Sequence, residues 1–268
     1  MSGGGNTIAG KDRLFGDAGD DTIFLGLAVA LETPEITSAG MYGETLTYAG
    51  GPSTDMATNI SDFASGGTGN DTIIGTIAGN TMFGGPGHDF LMGDNADNGV
   101  NRLYGGHGDD QIFNKIGAAE LFGGAGDDYM EGGLTNTANV DMDGGAGNDT
   151  MLGSFYGNDD MIGGDGDDYM HGRGGDDEID GGAGDDILKG GKSMANMGTD
   201  VLKGGEGNDK LFSGFDPFDV VYGLGEFKYL YGEEGDDVMY GAYGTDNEFQ
   251  WGGAGDDTIY GGSGTVTR

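Results

Sequence analysis

The sequence predicts an all-β fold: a right-handed parallel β-roll, a β-solenoid of about a dozen coils with one non-repeat insertion. Three observations predict it. Gly163 to Lys189 reads GGDGDDYMH, GRGGDDEID, GGAGDDILK, three nine-residue units in tandem of the form G-G-x-G-x-D-x-U-x, with U a large apolar residue and Arg173 the one departure. Strict G-G-x-G-x-D turns begin at Gly66, Gly84, Gly105, Gly123, Gly144, Gly163, Gly181, Gly204 and Gly252, and the steps from Gly66 to Gly204 are 18, 21, 18, 21, 19, 18 and 23 residues. Glycine makes up 63 of 268 residues without G-X-Y periodicity and with only 4 Pro, so it is placed at fixed positions and not scattered.

Each position of the unit has a physical reason. Closely spaced glycines allow positive φ and close backbone approach, so six residues make a tight turn with inward carbonyls. The Asp at position six adds a carboxylate beside them, and hard oxygens of these two kinds suit Ca²⁺ better than a transition metal. The x-U-x tail is a three-residue strand whose middle side chain faces one way and its flanks the other. Two such units make one coil of a flattened solenoid, roughly 4.8 Å thick. One unit cannot bury its apolar residue, but a stack can.

These units resemble the RTX (repeats-in-toxin) family, over nearly the whole chain except about forty residues near the N-terminus. The resemblance implies a Ca²⁺-binding β-roll and a secreted protein exported through a one-step channel that reads a C-terminal signal. The end GGSGTVTR does not match such a signal. The N-terminus MSGGGNTIAGKDRLF lacks the apolar core of a signal peptide, so an extracellular destination without a cleavable signal peptide is expected.

Along the chain, residues 1–24 carry the first β-roll units, ending in the near-complete Gly16 to Phe24. Residues 25–65 have few glycines and no nonapeptide, and read as a cap over the solenoid's end or a lateral insertion. Residues 66–268 are the main β-roll. Because 18 residues are two units, the strict turns fall on one edge, coil after coil. The degenerate units between them absorb the extra residues, so the opposite edge is expected to be mostly ion-free and tolerant of insertion. From Gly204 to Gly232, where Glu233 replaces the second Gly, is 28 residues. That length reads as three half-coils, with Val220–Tyr222 and Tyr229–Tyr231 as strands, transferring the strict turns to the other edge. The alternative is one large loop around Pro217.

The candidate metal ligands are the turn glycines named above, through their carbonyls, and the position-six aspartates Asp21, Asp71, Asp89, Asp110, Asp128, Asp149, Asp168, Asp186, Asp209, Asp237 and Asp257. On the other edge Asp177 is expected to bind a further ion with Asp159 and Asp200. Lys228 occupies an Asp position, where its ammonium would stand in for a missing ion.

Composition narrows the function. A formal net charge of −36 holds a metal-free chain open by repulsion, so folding and cation binding are expected to be one event. With 11 Lys and Arg in no basic patch, nucleic acid and anionic membranes are excluded as partners, and no run is long enough for membrane insertion as a helix. The absence of Cys fits an extracellular protein held by metal in place of disulfides. His88, His107 and His171 sit at variable repeat positions, and no H-E-x-x-H or G-x-S-x-G is present, so no catalytic residue is assigned. Asn59 is the one plausible glycosylation acceptor.

The expected core is the column Ile73, Leu91, Ile112, Met130, Met151, Met170, Ile187 and Leu211, facing Met82, Leu103, Leu121, Met142, Met161, Ile179 and Leu202. Gln250 falls where an apolar residue is expected. Ninth-position residues point outward: Phe83, Tyr104, Phe122, Ile162, Tyr222, Tyr231 and Trp251 on one face, Phe113, Leu152, Phe212, Tyr240 and Tyr260 on the other. Such stripes either stabilise one another up the ladder or serve assembly. The function read from all this is a Ca²⁺-dependent extracellular structural protein (surface layer, filament or matrix subunit) that self-associates and contacts cell surface or polysaccharide. The alternative is the export and folding module of a larger secreted enzyme, toxin or adhesin.

Overall fold

The computed structural model describes residues 13–24, 45–47, 63–75, 79–93, 99–133, 138–191, 198–214, 227–241, 247–261 and 265–267. Every strand among them lies in one of two twelve-stranded sheets, and every pairing is parallel. The chain alternates between the sheets. Val100–His107 lies in the first sheet, Gln111–Asn114 in the second, and Ala118–Ala125 in the first again, hydrogen-bonded beside Val100–His107. That alternation is a parallel β-solenoid, as expected from a short strand and a turn twice per coil.

Strict alternation of side chains fills the interior with one residue from each strand. In the first sheet Met82, Leu103, Leu121, Met142, Met161, Ile179, Leu202 and Leu230 align rung on rung. In the second, Ile23, Ile73, Leu91, Ile112, Met130, Met151, Met170, Leu188, Leu211 and Met239 do the same. All are fully buried except Met142, which is nearly so. At about 1.5–3 kcal/mol each, these residues supply the main apolar driving force. One expected core residue is wrong: Leu188, not Ile187, faces inward. Asp186 is buried just before it, and alternation then sends Ile187 outward, in register with Tyr169 and Lys210.

The 204–232 segment also departs from expectation. Asp200–Glu206 pairs with Phe227–Glu234 in the first sheet, and Lys210–Phe212 pairs with Val238–Tyr240 in the second. The 28-residue interval is therefore a single coil with one long connection, and the strict turn at Gly232 stays on the original edge. Val220–Tyr222 and Pro217 lie outside the described residues.

At the N-terminal end, Ile23 pairs directly with Ile73, so residues 25–65 do not interrupt the stack. Within that stretch Thr45–Thr47 adds a parallel strand to Thr22–Phe24, at the end of the second sheet, and Phe63–Thr68 already belongs to the first sheet. The remainder, with Asn59, lies outside the described residues.

The outward aromatics stack on one another. Phe83 and Tyr104 have centroids 4.6 Å apart and Tyr104 and Phe122 4.7 Å, with nearly parallel planes. The series Phe212, Tyr240, Tyr260 repeats at 4.9 Å, and Tyr231 lies 4.8 Å from Trp251. Asp143, Asp180 and Lys203 interrupt the stripe on the first sheet, and Glu131, His171 and Lys189 that on the second. Tyr222 lies outside the described residues.

Candidate metal centre

The turn from Gly105 to Asp110 shows how the sequence builds a cation site. Gly106 and Gly108 have φ of 124° and 111°, values that favour glycine. Gly105 is needed for space: a Cβ there would lie 2.2 Å from Asp110 Oδ2 and 2.7 Å from the Gly123 carbonyl oxygen of the next coil. The missing side chain thus leaves a cradle walled by a carboxylate from one coil and a carbonyl from the next. Gly163 repeats the arrangement, with Asp168 Oδ2 and the Gly181 carbonyl as the walls.

Position-six aspartates tie these turns together. Asp110 N–H donates to Asp128 Oδ1, Asp128 N–H to Asp149 Oδ1, and Asp149 N–H to Asp168 Oδ1, each at 2.7 Å. The series is unbroken from Asp21 through Asp71, Asp89, Asp110, Asp128, Asp149, Asp168, Asp186, Asp209 and Asp237 to Asp257. One carboxylate oxygen per turn is used this way. The other, Oδ2, is buried without a hydrogen-bond partner on Asp71, Asp89, Asp110, Asp128, Asp149, Asp168, Asp186, Asp209 and Asp237. A buried carboxylate oxygen left open is costly unless something positive meets it.

The electrostatics agree. Burial pushes the carboxyls of Asp110, Asp128, Asp149 and Asp186 up to about 7, and those of Asp71, Asp168 and Asp209 up to about 6. The N–H bond from the adjoining coil opposes this, and neighbouring aspartate charges add to it. Two ionised carboxylates one strand spacing apart repel by about 3 kcal/mol at an effective dielectric near 20. Among the described residues no three carboxylate or imidazole side chains converge on one point. A cation held here would take most of its oxygens from the backbone. Open carboxylate oxygens, cradles at the first glycines and inward carbonyls all fit Ca²⁺.

The sequence reading missed a second ladder, at position five, which runs in the opposite sense. Asp127 N–H donates to Asp109 Oδ1, Asn148 N–H to Asp127 Oδ1, and Asp167 N–H to Asn148 Oδ1. His88 takes this place in its own turn: its N–H donates to Asn70 Oδ1, and its Nδ1 accepts from the Asp109 N–H at 2.8 Å. The signal was present, since position five is Asp, Asn or His in every strict turn.

The opposite edge is mixed. Its buried position-six column reads Asn80, Asn101, Ala119, Val140, Asp159, Asp177, Asp200, Lys228 and Glu248. Asp159, Asp177 and Asp200 do come together: Val140 N–H donates to Asp159 Oδ1, Asp159 N–H to Asp177 Oδ1, and Asp177 N–H to Asp200 Oδ1. Their free oxygens do not match the expectation of a shared ion. Ser154 N–H and Oγ occupy Asp159 Oδ2, and the Lys228 ammonium occupies Asp200 Oδ2. Asp177 keeps the open oxygen, and burial, reinforced by Asp200, pushes its carboxyl up to about 9.

His107 is exposed, and burial with the charges of Arg173 and Lys189 lowers His171 to about 4. The family model for the RTX calcium-binding nonapeptide repeat matches residues 3–27, 57–91, 65–100, 95–118, 120–138, 135–155, 154–188, 194–216, 218–248 and 251–266. No curated protein and no solved structure matches the chain.

Proposed function

The chain belongs to the RTX calcium-binding nonapeptide repeat family, whose repeats bind several Ca²⁺ ions, and on that premise we propose that it is a calcium-dependent extracellular structural protein, not an enzyme. Asp71, Asp89, Asp110, Asp128, Asp149, Asp168, Asp186, Asp209 and Asp237 would hold the ions, each through its open oxygen and with turn carbonyls of two successive coils. Bound Ca²⁺ supplies the positive charge that lets an acidic column stack. Repeats of this kind are typical of secreted proteins, which fits an extracellular setting rich in Ca²⁺.

The observation that carries the structural reading is the C-terminal end of the stack. Among the described residues Thr258–Tyr260 is the outermost strand of the second sheet, and its core residue Ile259 is only partly buried. The aromatic series beside it end in Trp251 and Tyr260, 39% and 53% exposed. An end strand with ladder groups to pair, a half-covered core residue and two exposed rings suits the end of a second copy. We assign that role to self-association into oligomers or filaments. Light scattering at millimolar Ca²⁺ tests it: mass should grow with protein concentration and collapse on chelation. Replacing Tyr260 by Ser and Ile259 by Asp together should block growth while leaving the β signal intact. A chain that stays monomeric at high concentration sinks the assembly reading and favours a folding module of a larger secreted protein.

A further inference from the structure

The second edge holds a buried charge that the aspartate ladders do not use. Lys228 is 4% exposed, and its ammonium donates to Asp200 Oδ2. Backbone register sets Lys228 between Asp200 on one coil and Glu248 on the next, both buried. Asp200 keeps its ladder bond, Oδ1 accepting from the Asp177 N–H at 3.2 Å. Asp200 is thus bonded like a first-edge aspartate except that an amine fills the oxygen left open there.

The chemistry explains why an amine stands at this coil. Ca²⁺ takes six to eight oxygens, which the six-residue glycine turns supply from two adjacent coils. The chain from Ser213 to Lys228 contains no G-G-x-G-x-D turn. An ammonium has three donors and a single charge, so a carboxylate and two further acceptors satisfy it. We propose that Lys228 is a resident cation: its ammonium replaces an ion at this coil and joins the C-terminal coils to the rest of the roll where the turn cannot hold Ca²⁺. Arg173 repeats the device at the other end of the acidic segment. Its guanidinium donates to the Gly153 carbonyl at 3.0 Å and to Glu131 at 2.6 Å, and Gly153 opens a second-edge turn. Among the described residues of the second edge between these two cations, Asp177 alone keeps an open oxygen.

The test uses the full chain and does not depend on assembly. Trp251 is the sole tryptophan and stacks on Tyr231, three residues after Lys228, so its emission reports the C-terminal coils. Lys228→Met keeps the apolar stem and removes the charge. It should raise the Ca²⁺ concentration at the midpoint of the Trp251 transition by about five-fold or more, because an acid is left buried without its partner. Combining it with Asp200→Asn removes both charges and should return the midpoint to within about two-fold of the parent. Native mass spectrometry should count the same number of Ca²⁺ ions on the parent and the double variant. An unchanged midpoint in Lys228→Met, a double variant as weak as the single one, or a different ion count would each overturn the proposal. If Lys228→Met does not fold, the double variant still decides, since it must fold with the parent's ion count.

Discussion

The two edges of this solenoid carry the same backbone problem and solve it differently. On the first edge one residue type recurs at position six from Asp21 to Asp257, and every ladder bond measures 2.7–3.2 Å although the residues joined are 18 to 50 apart in sequence. On the second edge the equivalent column passes from amide to apolar to acidic to basic, and the insertions lie there. An edge whose every step is set by the same carboxylate, with an oxygen reserved for a cation, has no freedom in residue type or spacing. An edge that closes each coil by a local device can vary both. Asn101 Nδ2–H donates to Asn114 Oδ1, Ser154 caps Asp159, and Lys228 fills Asp200.

The largest effect should come from removing what the first edge needs. In EGTA at neutral pH the chain should lose most of its β circular-dichroism signal, and millimolar Ca²⁺ should restore it cooperatively. A β spectrum indifferent to chelation would show that the open oxygens are tolerated without cations. Protons offer a second way to neutralise the same column. The buried carboxyls sit at about 6 to 7 when folded, against about 4 in an unfolded chain. The folded state therefore binds protons more tightly. Stability from this source is fully present below about pH 4 and is lost as pH rises through 6 to 7. In EGTA, lowering the pH from about 8 to about 4 should return part of the β signal, the reverse of ordinary acid unfolding.

Next in size is the asymmetry between edges. Asp128→Ala removes the acceptor for the Asp110 N–H and an open oxygen, and should cost about 2 kcal/mol or more in urea unfolding with Ca²⁺ present. Three residues inserted after Leu134, in the 134–137 segment outside the described residues, should cost under about 0.5 kcal/mol. Equal losses from the two changes would mean that the edges do not differ in tolerance.

Much of this was legible because in a nonapeptide repeat each position has one job. The parallel solenoid, the first-edge aspartates and nearly all core residues follow from the period. Where the period fails, so does the reading. The 28 residues from Gly204 to Gly232 are close to three units, and counting alone suggested a change of edge. The Asp209 N–H bond to Asp237 Oδ1 shows the same edge continuing, because a long connection costs little beside a preserved ladder. The second-edge caps were less legible: the Asn80–Asn101 bond joins two coils, which no single unit displays, and Ser154 caps Asp159 inside a degenerate turn that lacks the second glycine of the repeat.

A smaller effect is expected inside the core. Gln250 is fully buried in register with Leu230, and neither of its side-chain polar atoms has a hydrogen-bond partner. Gln250→Leu should stabilise the C-terminal coils by about 1–2 kcal/mol, read as a higher urea midpoint in saturating Ca²⁺. A lower midpoint would indicate that the amide meets a group of the assembled or ion-bound protein.

The smallest effect concerns a turn that, like the one with Asp17 at φ 77°, departs from the first edge's own pattern. Glu233 stands where the other strict turns have their second glycine, and its φ is 79°, in the left-handed region. A side chain in that conformation costs about 1–2 kcal/mol. Glu233→Gly removes the strain and one negative charge beside Asp209, whose carboxyl the Glu233 charge helps to raise. Against this, glycine loosens the unfolded chain by about 0.4–1 kcal/mol. The balance should be a gain of about 0.5 kcal/mol in Ca²⁺. Arg173, at φ 74° in the corresponding place on the second edge, predicts the opposite sign. Arg173→Gly relieves the same strain but loses the bonds to Gly153 and Glu131 and should destabilise. Paired urea titrations of the two variants would check this, and the same sign in both would mean that backbone strain alone governs the second position of the turn.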